Sequence, residues 1–115
     1  MSFVYKPPTE WIAPDVFPTE LLCQAKEIAI DLETRDPHLK ELGPGYIRGD
    51  GEAVGISFAI DGYENYFPFA HESGFNFSKK KVLEFTKKIC ATDSDKIFHN
   101  STYDVGWLTH HGVPI

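Results

Sequence analysis

Two acids, Asp31 and Glu33, stand one residue apart directly after the apolar run Ile28-Ala29-Ile30, and a third, Asp104, lies far along the chain. On an extended strand, residues two apart point to the same face about 6 to 7 Å apart, so their side chains can close on one cation. Three acidic side chains converging without Lys or Arg would repel one another, and Mg²⁺ or Mn²⁺ is the ordinary remedy. Other chemistry fits the same residues. Asp31 before Leu-Glu-Thr could start a turn, and Asp104 could complement a helix dipole as part of a Ser101-x-x-Asp104 capping box.

The surrounding pattern supplies elements to position these acids. Lys26 to Asp31 reads as a short apolar strand covered on both faces. Val54 to Ile60 alternates, with Val54, Ile56, Phe58 and Ile60 on one face, and Asp61-Gly62 then marks a hairpin turn. The return strand, about Asn65 to Ala70, contains Pro68, which cannot donate to a ladder and so belongs at a sheet edge. From Ser78 to Cys90, Val82, Leu83, Phe85, Thr86 and Ile89 recur at helical spacing, with Ser78 or Asn76 as the cap. Lys79 to Lys81 oppose the dipole of that helix and Lys87 and Lys88 favour it. Lys96 to His99 is a second short strand, and "STYDVGWLTHH" is a helix capped by Ser101 and closed by Gly112. His110 and His111 at its end read as caps for carbonyls, and Phe85, Ile89, Trp107 and Leu108 as core.

Ahead of these, residues 1 to 17 form an extended arm whose Trp11, Ile12 and Phe17 can dock on the body, and a short helix spans about Pro18 to Gln24. Residues 35 to 52 are a long connection rich in Pro and Gly, of the kind that carries function. The Arg48-Gly49-Asp50 tripeptide within it is turn chemistry. The order strand, hairpin, helix, strand, helix is an α/β arrangement, with residues 1–25 as arm and short helix and 26–115 as the main body. A helical return makes the first and last strands parallel neighbours, which puts Asp31 and Asp104 on one carboxyl edge, where ligands bind in open α/β sheets.

The chain has 115 residues and a formal net charge of −6, which argues against a general phosphate-binding surface while permitting a metal-dependent nuclease. Cys23 and Cys90 lack zinc-ligand or disulfide-framework spacing, no apolar run is long enough for a membrane helix, and no secretory leader is visible, so a cytoplasmic protein is expected.

At "IAIDLET", "VGISFAIDGYENYFPFAH" and "HNSTYDVGWLTHHGV", over roughly residues 26 to 115, the chain resembles the 3′–5′ proofreading exonuclease domain of family A DNA polymerases. That family belongs to the DnaQ-like, RNase H-fold exonucleases. Its Asp-x-Glu motif is matched by Asp31 and Glu33, and its Asn-x-x-x-Asp motif by Asn100 and Asp104, with Tyr103 before the acid. The resemblance implies an RNase H-like mixed sheet with an antiparallel hairpin and flanking helices. It implies two Mg²⁺ or Mn²⁺ ions, with Asp31 bridging both, Glu33 binding the first and Asp104 supporting the second. Thr34, Asn100 and Tyr103 match family positions that would lie against the substrate, a single-stranded or frayed DNA 3′ end, with release of nucleoside 5′-monophosphates, and His99, directly before Asn100, is a further candidate for contact with it.

The family's third motif, Tyr or His with Asp four residues on, would follow Ile115. The chain therefore reads as an N-terminal fragment, incomplete at the fold's C-terminus, whose partner is the polymerase domain of the same full-length chain and which has little activity alone. The long insert suggests a phage-type polymerase, placing it in host cytoplasm. Two further readings differ in outcome: a non-catalytic exonuclease-like module that binds nucleic acid or a partner domain, and an RNase D-like enzyme acting on RNA.

Overall fold

The structure, a computed structural model, describes residues 17–72 and 74–115. Trp11 and Ile12 of the expected arm lie outside the described residues. Its elements are α1 (Thr19–Cys23), β1 (Glu27–Arg35), α2 (Leu39–Leu42), β2 (Glu52–Ile60), β3 (Tyr63–Pro68), α3 (Lys79–Cys90), β4 (Asp95–Phe98) and α4 (Ser101–His110). A 3-10 turn, Gly45–Ile47, follows α2.

The strands form one mixed sheet in the order β3-β2-β1-β4. β1 pairs antiparallel with β2 and parallel with β4, so the crossover through α3 brings the first and last strands together. Ile60 pairs with Tyr63 across the Asp61-Gly62 turn, and Gly62 takes φ 83°, a conformation that needs glycine. Pro68 closes β3, which is an edge strand as its missing donor requires.

Alternation along β1 separates two environments. Ile28 and Ile30 are buried in the core with Ile56 and Phe58 of β2, whereas Ala29, Asp31 and Glu33 point to the opposite, open face. The core side is covered by Leu22 of α1, by Val82, Phe85 and Ile89 of α3, and by Leu108 of α4. Phe58, Phe67 and Phe85 meet ring to ring at 5.2 to 5.9 Å, and Phe17 stacks on this group, 4.9 Å from Phe85. Burying one such ring contributes about 1.5 to 3 kcal/mol, so the cluster is a main source of stability. Ser78 caps α3 by accepting the Lys81 amide, and the buried Thr86 hydroxyl donates to the Val82 carbonyl at 2.8 Å.

Three expectations change in detail. β1 runs on through Arg35 instead of ending at Asp31, because β2 begins at Glu52 and keeps its partner hydrogen-bonded as far as that residue. The connection after β1 folds into α2 and the 3-10 turn, held by Asp36, whose Oδ2 accepts the Gly45 amide at 3.1 Å. The cap of α4 is Asn100 and not Ser101, and Asp104 Oδ2 accepts the Asn100 amide at 3.3 Å. The capping box is thus displaced by one residue, with only its backward half formed.

Candidate functional site: carboxylates at the strand ends

Asp31 and Glu33 lie on the open face of β1, opposite Ser57 and Gly55 of β2. Asp104 sits in the first turn of α4, which starts just beyond the end of β4, the parallel neighbour of β1. It is 3% exposed, an unusual placement for a carboxylate. Burial raises its pKa above the ordinary range, and the charge of Asp31 raises it further. The Asn100 amide and nearby His99 act in the opposite sense without reversing the shift. Among the described residues neither Asp31 nor Asp104 forms an ion pair with Lys or Arg.

Glu33 is engaged elsewhere. Its Oε1 lies 3.2 Å from His71 Nε2, beyond the far end of β3. Tyr66 pairs with Ser57, yet its ring leans over Gly55 so closely that a Cβ there would meet the phenol oxygen at 2.1 Å. The glycine makes room for that ring, and the buried Tyr66 hydroxyl lies beside Glu33. Burial foremost, and then the Glu33 charge, raise the Tyr66 pKa. In consequence, among the described residues no three of His, Cys, Asp and Glu gather closely enough to hold a metal ion. The charge of Asp31 is thus felt at Asp104, whereas Glu33 is held by His71 and lies beside Tyr66.

The other candidate residues fall into two groups. His99 and Asn100 are exposed between β4 and α4, and the Asn100 side chain makes no cap bond. Thr34 and Tyr103 are spent on each other. A register shift between Glu33 and Thr34 re-aims the chain, Thr34 Oγ1 lies 3.0 Å from the Tyr103 hydroxyl, and that hydroxyl donates to Asp36 Oδ2 at 2.9 Å. Because the Tyr103 proton goes to Asp36, Thr34 is the donor in the first contact. Tyr46 of the 3-10 turn then packs edge-on against Trp107 and lies over Gly106, where a Cβ would meet its ring at 2.1 Å. The long connection is in this way fastened to α4.

His71, Tyr66 and Asp36 were not singled out as site residues by sequence reasoning. The alternation of β2 with a glycine at position 55 was the available signal for Tyr66, but His71 and Asp36 reach the site only through tertiary contacts. His111 also departs from its expected role. Its Nε2 accepts the Ala53 amide at 3.2 Å rather than the ring capping a carbonyl, since the end of α4 lies against the start of β2. Burial, with Lys79 and His110 nearby, lowers its pKa to about 4.

A small α/β domain with a mixed four-stranded sheet, helices on one face and acids on the other is the class these observations define. Compared with known proteins, the chain is 39% identical over 108 residues to a DNA-directed DNA polymerase of Pseudomonas phage M6. That match takes in 91% of this chain and 16% of the relative, so the chain is related to one stretch of a much longer polymerase. No protein-family model matches it. Among the described residues no helix is long and apolar enough to cross a membrane.

Proposed function

We propose that this chain is the carboxylate-bearing portion of a 3′–5′ proofreading exonuclease within a DNA polymerase, with an RNase H-like fold of the DnaQ type. The supporting observation is Asp104, an almost wholly buried carboxylate in the helix that follows the parallel neighbour of β1, with Asp31 on the open face of β1 and no Lys or Arg paired with either acid among the described residues. Burying a carboxylate this way costs stability unless a cation or proton compensates it.

The donor set suits a hard divalent cation, Mg²⁺ or Mn²⁺, because it consists of carboxylate oxygens. Asp31, exposed on the open face of β1, and Asp104, in the first turn of α4, offer such oxygens, and Glu33 adds another after leaving His71. Bound there, two such ions would supply an activated water and charge stabilisation for the departing 3′ oxygen. Asp31 and Asp104 hold the charge that attracts the cations to the rim. Glu33 offers an acceptor for the attacking water. His99 and Asn100, exposed beside Asp104, contact the strand, while Thr34 and Tyr103 keep the border of the site in place. The product would be nucleoside 5′-monophosphates from single-stranded or frayed DNA ends.

The test is hydrolysis of a 3′-labelled single strand by the complete protein with Mg²⁺ or Mn²⁺. Asp31→Ala and Asp104→Ala are each expected to lower turnover at least about a hundredfold. Turnover surviving Asp31→Ala would remove the assignment. Parallel DNA and RNA substrates separate this reading from an RNase D-like one.

A further inference from the structure

The described part of an acidic protein carries one concentrated basic surface. Of the eleven Lys and Arg residues in the whole sequence, Lys79, Lys80, Lys81, Lys87 and Lys88 all lie on α3. Lys80, Leu83, Glu84 and Lys87 follow the i, i+3, i+4, i+7 spacing and so form a single stripe. With Lys79 and His111 they line a groove of about 560 Å³ between α3 and the end of α4. Among the described residues the lysines of this groove make no ion pair, not even with Glu84 on their own stripe. Lys79 Nζ instead reaches to 6.0 Å from the Phe69 ring centre. The lysines of the first turn add to the positive end of the helix dipole, a placement that helix stability by itself disfavours.

One end of the groove, at Lys79 and His111, lies at the edge of the sheet that carries the carboxylates, on the helix-covered face. β3 runs parallel to β1, because both are antiparallel to β2, so the end of β3 and the start of β2 lie at the Asp31–Arg35 end. His111, at one wall of the groove, accepts the Ala53 amide, and Ala53 pairs with Thr34. We infer that this groove binds the phosphate backbone of a single strand of nucleic acid, and so supplies the attraction that the net charge of −6 withholds elsewhere. The single strand is favoured over a duplex because Lys80 and Lys87 lie on one helical stripe with Lys79 beside its start, a narrow track suited to one backbone. The inference rests on the exonuclease reading for its choice of partner, and deepens it by naming where the strand is held away from the acids.

The test is equilibrium binding of a fluorescent single-stranded oligonucleotide to the complete protein in EDTA across a salt series, so that no cleavage is needed. Each lost phosphate contact lowers the slope of log K against log salt by about 0.7. Lys79→Gln, Lys80→Gln and Lys87→Gln combined are expected to lower it by about 2, and to weaken binding at low salt. Lys81→Gln with Lys88→Gln, which removes charge from the same helix outside the groove, should leave the slope unchanged. An unaltered slope in the triple variant, the same loss per lysine in the control pair, or a loss confined to blunt duplex would overturn the inference. A slope change in a protein that does not cut DNA would keep the groove and discard the exonuclease.

Discussion

Asp104 shows how one carboxyl can answer to several influences. Its backbone position at the start of α4 would reward a negative charge, yet burial and Asp31 push its pKa the other way. His111 is the clearer titration at this scale. Its folded pKa, about 4, lies below the ordinary value near 6.5 because burial foremost, and then the nearby Lys79 and His110, disfavour the protonated ring, whose neutral form accepts the Ala53 amide. A proton binds the unfolded chain first. The His111 contribution to stability is therefore complete above about pH 6.5 and falls as the pH drops from there toward 4. Denaturant melts at pH 7 and pH 5 should show this loss, and His111→Gln, which keeps an acceptor and cannot titrate, should show less of it. Equal losses in both proteins would assign the acid sensitivity to other groups. Cys90 offers a second check: burial raises its pKa to about 11, so iodoacetamide at pH 8 should modify it far more slowly than a free thiol.

Between elements, the coupling of the long connection to α4 depends on absent side chains as much as on present ones. Alanine in place of glycine inside a helix ordinarily stabilises by about 1 kcal/mol. At Gly106 the sign should reverse, because the new methyl would meet the Tyr46 ring. We expect Gly106→Ala to destabilise by about 1 to 3 kcal/mol, and the same change in a Tyr46→Ala background to be neutral or stabilising. Urea denaturation of the four proteins in that cycle measures the coupling. A stabilising Gly106→Ala in the otherwise unchanged chain would show that the connection does not rest on α4.

For the molecule as a whole, the consequential feature is its two-sidedness. Three helices cover one face of the sheet, while the other carries Asp31 and Glu33 and leaves Ile97 half exposed. The short α1 belongs to this unit, since Leu22 is fully buried in the core. Leu22→Ala should cost about 2 to 5 kcal/mol, read as a lower midpoint in the same denaturation experiment. A change below about 0.5 kcal/mol would detach α1 from the fold.

Local pattern by itself determined much of this protein. The alternation from Val54 to Ile60, the Asp61-Gly62 turn, the edge position demanded by Pro68 and the apolar stripe of α3 each follow from short-range stereochemistry, which a sequence displays directly. The parallel pairing of β1 with β4 followed in turn from connectivity. Only tertiary structure decided which partner each acid meets. Glu33 is drawn to His71, and Asp36 to Tyr103, a residue 67 positions away, because side-chain rotamers and loop packing obey neighbours that no periodicity encodes. Spacing could place three carboxylates on one rim, but whether they face one another depends on everything packed around them.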